Sequence, residues 1–148
     1  MIIRLIKIED ANQGILVLRS SIIELCEKDH HSNMDKIKDW LANKNTDIWC
    51  NWVTSAKFSL FIAELDEVIA GVSMISLNSV ILLNYVSPDY RFKGVSKAML
   101  NHMEEYAKNI CILMCTLQIT YTAKEFYISA GYQFKNNNEK ELEMYKFL

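Results

Sequence analysis

The sequence predicts a mixed α/β fold of the α+β kind: a mostly antiparallel central sheet flanked by helices, in the order β-α-α-β-β-β-α-β-α-β-β. Three observations predict it. The segments 57–65, 68–77 and 80–86 are rich in β-branched and aromatic residues and are separated only by Asp66-Glu67 and Asn78-Ser79, as in a strand meander with tight turns. Segments with helical apolar spacing lie on either side of it. The 148 residues are 51% hydrophobic, enough for one domain over 1–148 with its own core.

Residues 2–8 set Ile3, Leu5 and Ile6 against Arg4 and Lys7, which predicts an edge or half-buried strand. Ile15, Leu18, Ile22, Leu25 and Cys26 then recur at helical spacing, with Asp10 as a start signal. Ser32, with Asp35 three residues on, predicts a second helix start running through Ile37, Trp40 and Leu41. Asn43-Lys44-Asn45 breaks it, and Thr46-Asp47 opens a short helical segment with Trp49 and Trp52. The strand 80–86 is apolar at nearly every residue, the pattern of a strand covered on both faces. A helix over about 94–109 turns Val95, Met99, Met103, Tyr106 and Ala107 inward. A buried strand follows at 111–119. Thr122 and Glu125 form a capping-box pattern and Gly131 a C-terminal stop, so 122–130 reads as a short helix. Strands near 131–135 and 140–148 end the chain.

Composition excludes several classes. The formal charge of -2 gives no sign of the basic face that nucleic acid requires. The first residues mix charges among the apolar positions and lack a signal-peptide cleavage pattern, and no apolar run is long enough to span a bilayer. The four cysteines include no CxxC pair, which predicts reduced thiols and a cytoplasmic protein. Cys111 and Cys115 have no ligand partners at metal spacing and read as small buried hydrophobes, so no metal is expected.

The chemistry concentrates at Val86–Ala98. A buried strand feeds a short loop containing Pro88, the only proline, and the loop enters a helix through Gly94. The first turn of a helix presents unpaired N–H groups and the positive end of its dipole, so it attracts anions. Arg91, Lys93 and Lys97 add charge there. On these residues alone the segment is either a phosphate cradle or an ordinary strand-to-helix connection. A second element, Thr120–Tyr132, carries Phe126-Tyr127 and then Gly131; alone it reads better as a core-packing helix than as a site.

Taken as an ordered pair with one strand between, these elements resemble the GCN5-related N-acetyltransferase (GNAT) superfamily. Arg91-Phe92-Lys93-Gly94-Val95-Ser96 is similar to the family's Q/R-x-x-G-x-G/A pyrophosphate motif. Thr120, Ala123, Phe126-Tyr127 and Gly131-Tyr132 are similar to its late A-x-x-F-Y…G-F/Y helix. The start, through Ser21-Ile22, Leu25-Cys26, Asp29-His30, Trp40 and Asn43-Lys44, resembles a bacterial subset. The resemblance implies an acyl-CoA cosubstrate, acetyl-CoA foremost. Its pantetheine would pair with Asn84, Tyr85 and Val86, and its pyrophosphate would rest on Arg91, Phe92, Lys93, Gly94, Val95, Ser96 and Lys97. It implies that Thr120 touches the CoA arm, that Tyr127 is the general acid for the departing thiolate, and that a small-molecule or peptide amine attacks the thioester directly. Glu24, His30 and Trp40 are expected at the acceptor, with Trp49 and Trp52 as further walls.

The chain departs from the family pattern in three places. Ser96 stands where Gly or Ala is usual. Val80 and Leu82 stand where some members carry a glutamate base on the fourth strand. Asn84 stands where an apolar residue is common, beside the expected thioester. The base is left open among Glu24, Asp29, His30, His31, Glu64 and water. Two other readings compete with the enzyme: a non-catalytic acyl-CoA or partner-binding module on the same fold, and a phosphate-ligand domain unrelated to CoA. The C-terminal strand 140–148 is expected to offer an edge at which a second copy could pair into a homodimer.

Overall fold

The computed structural model describes residues Met1–Leu148. A seven-stranded sheet runs β1 (Ile2–Leu5), β2 (Phe58–Leu65), β3 (Val68–Ser76), β4 (Val80–Val86), β5 (Met114–Gln118), β7 (Glu143–Phe147), β6 (Gln133–Phe134). All neighbours are antiparallel except β4 and β5. Six helices complete the fold: α1 (Ala11–Leu25), α2 (Glu27–His30), α3 (Met34–Leu41), α4 (Thr46–Thr54), α5 (Val95–Asn109) and α6 (Lys124–Ser129). The expected order holds, with α2 added and with the short helical segment expected at Thr46 forming α4.

Strand alternation assigns the two faces. Leu60, Ile62, Val72, Met74 and Leu83 pack on Leu18, Ile15 and Trp49 of α1 and α4. Phe61, Ile75 and Ile81 pack on Leu100, Met103 and Ala107 of α5, together with Tyr127. On β4 the same alternation sends Tyr85 toward the α1–α3 side, against Ile22, Ile37 and Leu41, and Val86 toward Val95 and Met99 of α5. The strand that matters most is therefore clamped between both helical layers.

Several local expectations are corrected. Asn33, rather than Ser32, caps α3, its side-chain oxygen accepting from the N–H of Asp35 and Lys36. Asn45 caps α4 in the same way through Ile48 N–H at 2.9 Å. The Thr122–Glu125 capping box does not form; Thr120 Oγ1 accepts from Ala123 N–H at 3.2 Å and α6 starts at Lys124. Cys111 is exposed in a turn rather than buried, because β5 begins only at Met114. Leu82 is 45% exposed, so β4 is not covered at every residue. The C-terminal strand is not a free edge: β7 lies between β5 and β6, with β6 pairing at Met144 and Tyr145. No helix is long and apolar enough to cross a membrane.

Candidate active site

β4 and β5 pair only at Val80↔Thr116 and Ile81↔Leu117 and then part. A bulge prepares the parting. Met74 faces Leu83 while Ile75 faces Ile81, so Leu82 is an extra residue that bends the strand. Beyond it, the edge of β4 that faces β5 carries backbone groups with no strand partner. A cavity of about 520 Å³ opens along that edge, within the size range of small-molecule sites. It runs from Arg91–Lys97 past Asn84, Tyr85 and Val86 to Thr120 and Tyr127, with Ser21 and Leu25 of α1 and the following Cys26 as a wall.

The cradle forms one end. Phe92 (φ 62) and Gly94 (φ 79) adopt left-handed backbone that folds the loop back on itself, and no side chain caps α5. The N–H groups of Phe92, Lys93 and Gly94 have no partner in the protein. A Cβ placed on Gly94 would meet no protein atom within 4 Å, so glycine is needed there for its φ and for ligand room, not for packing. Arg91 lies over the Phe92 ring and Lys93 over the Tyr90 ring, each 4.6 Å from the centroid; Arg91 and Lys97 line the cavity. Unpaired amides, a helix dipole and flexible cations on one spot suit a pyrophosphate. Ser96 is half-buried on the same wall.

Tyr127 sits at the other end. Phe126 and Tyr132 hold its ring edge-on, at 4.9 Å and 5.4 Å between centroids. Burial pushes its phenol up to about 12, and an Asn84 N–H bonded to its oxygen at 3.5 Å pulls the other way. It is therefore a proton donor across the ordinary pH range. Burial, and then the charge of Asp29, push the Cys26 thiol up to about 12, so this cavity-lining sulfur stays protonated. Burial likewise raises Tyr85.

Asp29 fastens the mouth. Its carboxylate accepts from Tyr121 N–H (2.7 Å), Thr122 N–H (3.1 Å) and the Thr122 hydroxyl (2.5 Å), tying α2 to the segment that leads into α6. Asp29→Ala should cost about 1–2 kcal/mol, because it strips one acceptor from three donors at once. The check is thermal unfolding without ligand, where Tm should fall by a few degrees; an unchanged Tm would mean that the clamp holds nothing.

The cavity brings together Asn84, Tyr85, Val86, Arg91, Phe92, Gly94, Val95, Ser96, Lys97, Thr120 and Tyr127; Lys93 is not among its lining residues and lies over the ring of Tyr90, which is. The three residues expected at the acceptor lie elsewhere. His30 is 2% exposed; its Nε2 sits 2.9 Å from Ile22 O and its Nδ1 accepts from Ser32 N–H at 3.0 Å, so both nitrogens serve the α1–α3 connection. Glu24 lines a separate groove with Gln13, Ser20 and Asp89. Trp40 packs beside Tyr85 on the Ile22 cluster. Trp49 is fully buried between α1 and α4, and Trp52 packs on the same cluster. Of the remaining base candidates, Asp29 is engaged as described, Glu64 pairs with Arg4 at 3.1 Å, and His31 is exposed. Sequence reasoning missed Ser21, Leu25 and Cys26 as cavity wall, although the resemblance rested partly on those very residues. No cluster of His, Cys, Asp and Glu has the geometry of a metal site.

A long ligand with phosphates at one end and a reactive carbonyl at the other fits this channel, and the class that such a fold and site define is the acyl-CoA-dependent N-acyltransferases. The profile of the Acetyltransferase (GNAT) domain matches residues 29–147. The chain belongs to the GNAT acetyltransferase family; it is an N-acetyltransferase with acetyl-CoA as cosubstrate. No curated protein matches it at a significant level. Among solved structures it is similar to PaiA N-acetyltransferase from Thermoplasma acidophilum in complex with coenzyme A (21% identity, TM-score 0.85, covering 99% of this chain and 98% of that one). It is also similar to a GCN5-related N-acetyltransferase (aminotransferase, class-II) from Rhodopseudomonas palustris (23% identity, TM-score 0.86, covering 99% and 95%). A predicted acetyltransferase with acetyl-CoA from Clostridium acetobutylicum is more distant (19% identity, TM-score 0.67, covering 93% and 92%). At these identities the likeness concerns the fold.

Proposed function

We propose that this acetyltransferase moves the acetyl group of acetyl-CoA directly onto a primary amine of a small molecule or peptide, in a ternary complex, with Tyr127 as the general acid. The observation that carries the reading is the placing of the Tyr127 phenol at the splay, in one cavity with the Arg91–Lys97 cradle. Pyrophosphate on the cradle and pantetheine along Asn84–Val86 would bring the thioester beside that phenol. The amine nitrogen attacks the carbonyl carbon, the C–S bond breaks, its electron pair leaves on sulfur, and the Tyr127 proton neutralises the thiolate. The amine's own surplus proton goes to water, since no carboxylate or imidazole lines the cavity. Direct attack is favoured over an acyl-enzyme because the one thiol lining the cavity, Cys26, is held protonated. All four cysteines are free, which supports a reducing, cytoplasmic setting.

Thermal unfolding with acetyl-CoA tests the cosubstrate. At 100 times Kd a binder stabilises by about 2.7 kcal/mol, a rise of roughly 5–10 °C in Tm. No rise at millimolar acetyl-CoA would overturn the reading. Release of CoA thiol across a panel of amino acids, diamines and peptide N-termini then identifies the acceptor, and binding without turnover would favour a non-catalytic module.

A further inference from the structure

Asn84 is the one amide in β4, whose other residues are aliphatic or aromatic, and it lines a small pocket between the diverging ends of β4 and β5. Its side chain turns to the α5–α6 face. There Nδ2 donates to the backbone oxygen of Ser96 in the first turn of α5 (3.4 Å) and to Tyr127 Oη (3.5 Å). Its carbonyl oxygen, Oδ1, is buried and has no partner. Ser73, its register partner on β3, is fully buried, and its hydroxyl is also unpartnered. A residue kept only for packing does not carry such a deficit, since an aliphatic side chain of the same size would remove it. The same amide bridges the helix that forms the phosphate cradle and the phenol that faces the splay.

We propose that Asn84 is a positioning residue for acetyl transfer: its amide N–H holds the Tyr127 oxygen as an acceptor, leaving the phenol hydrogen free to point at the thioester sulfur. This rests on the reading of Tyr127 as the acid. As the C–S bond breaks, the phenol proton passes to sulfur and negative charge appears on Tyr127 Oη. The Nδ2–H bond then becomes charge-assisted and strengthens at the moment it is needed. Catalytic hydrogen bonds of this length tighten when substrate fills the site. Anchoring to Ser96 O transmits the fit: binding at the first turn of α5 fixes the amide, and the amide fixes the phenol. When the collapse is complete, the proton shed by the amine reaches solvent, and Tyr127 is reprotonated from it. Oδ1 gains its missing donor from an N–H of the bound substrates, which come from two sources, the pantetheine arm and the acceptor amine.

The test is a double-mutant cycle with Asn84→Leu, Tyr127→Phe and the pair, read as release of CoA thiol from acetyl-CoA. The assay uses the most active amine of the panel, or water where none is active. Asn84→Leu should lower kcat about tenfold while its Tm stays level or rises. In the Tyr127→Phe background the same change should alter kcat by no more than about twofold, because its target is gone. Additive losses would overturn the proposal, since Asn84 would then act independently of Tyr127. An unchanged kcat for Asn84→Leu would overturn it too. Were Tyr127→Phe alone fully active, the acid reading would fail first, and with it this one; a normal Tyr127→Phe defect beside an inert Asn84→Leu would sink only this one. Asn84→Asp supplies the converse: a carboxylate accepts rather than donates, so kcat should fall at least as far as in Asn84→Leu. The source of the N–H donor follows from KM: a rise for acetyl-CoA alone identifies the pantetheine arm, and a rise for the amine alone identifies the acceptor.

Discussion

Tyr127→Phe should lower kcat by about 10²-fold or more while leaving the affinity for acetyl-CoA within about twofold. The substitution removes one oxygen from a ring held edge-on by Phe126 and Tyr132, so the wall of the cavity keeps its shape. What disappears is a phenol that lines the splay and is fully protonated at neutral pH. A thiolate leaves far less readily than a thiol, and the loss falls on the chemical step rather than on binding. The pH profile carries a second signature. The proposed acid must act in its protonated form, and burial has pushed the Tyr127 pKa up to about 12, so on this reading the wild-type rate should show no alkaline fall below about pH 10. The rise at lower pH should follow deprotonation of the acceptor amine, because no residue of the cavity wall can take that proton. An alkaline limb centred near pH 8 would point to a different acid. An unchanged kcat in Tyr127→Phe would remove the residue from the reaction.

The parts of the molecule that could be read in advance are those fixed by local rules. The β2–β3 hairpin follows from Asp66-Glu67, both of which adopt positive φ, and the α5 start follows from Gly94. The cradle was legible because it is one continuous stretch, Arg91–Lys97, whose chemistry lies in its backbone. Tyr127 was legible only as half of an ordered pair. The misread residues share a cause: their roles are set by partners distant in sequence. Asp29 looked like a base candidate until its three donors, more than ninety residues away, were seen. Thr122 looked like a cap, but its hydroxyl belongs to Asp29, and Thr120 supplies the turn instead. His30 is expected at the acceptor because the resemblance places the region between the first two helices there, whereas the short α2 folds it inward onto Ile22 O. Asn84 stood out as an irregular residue, yet nothing in the sequence pairs it with Tyr127, forty-three positions later.

The largest expected effects on stability lie away from the chemistry, where Gly14 meets Trp49. Helix α1 and its C-cap supply Ser21, Leu25 and Cys26 to the cavity, and the helix's own position depends on how closely α4 approaches it. Trp49 of α4 is fully buried, and its indole N–H donates to Lys7 O at 2.9 Å, which fixes the ring in place. A Cβ on Gly14 would lie 2.1 Å from Trp49 Cη2 and 2.4 Å from Cζ3, inside contact distance of a rigid ring rather than of a flexible tip. Gly14→Ala therefore sets two terms against each other. Alanine favours the helix by about 1 kcal/mol over glycine. Overpacking a full core costs about 1–3 kcal/mol and more where the neighbour cannot rotate away. Here the indole can move only by breaking its bond to Lys7, so the steric term wins, and Gly14→Ala should lose about 2 kcal/mol net. Trp49→Ala should lose about 3–5 kcal/mol by leaving a cavity. The two are coupled by contact, and their combination should be less destabilising than their sum, because the alanine methyl partly fills the space the indole leaves. Urea unfolding of the four proteins measures this directly. Strict additivity would mean that α1 and α4 do not rest on each other at this point. In that case Gly14 would not be the position that sets where α1 meets the active-site cavity.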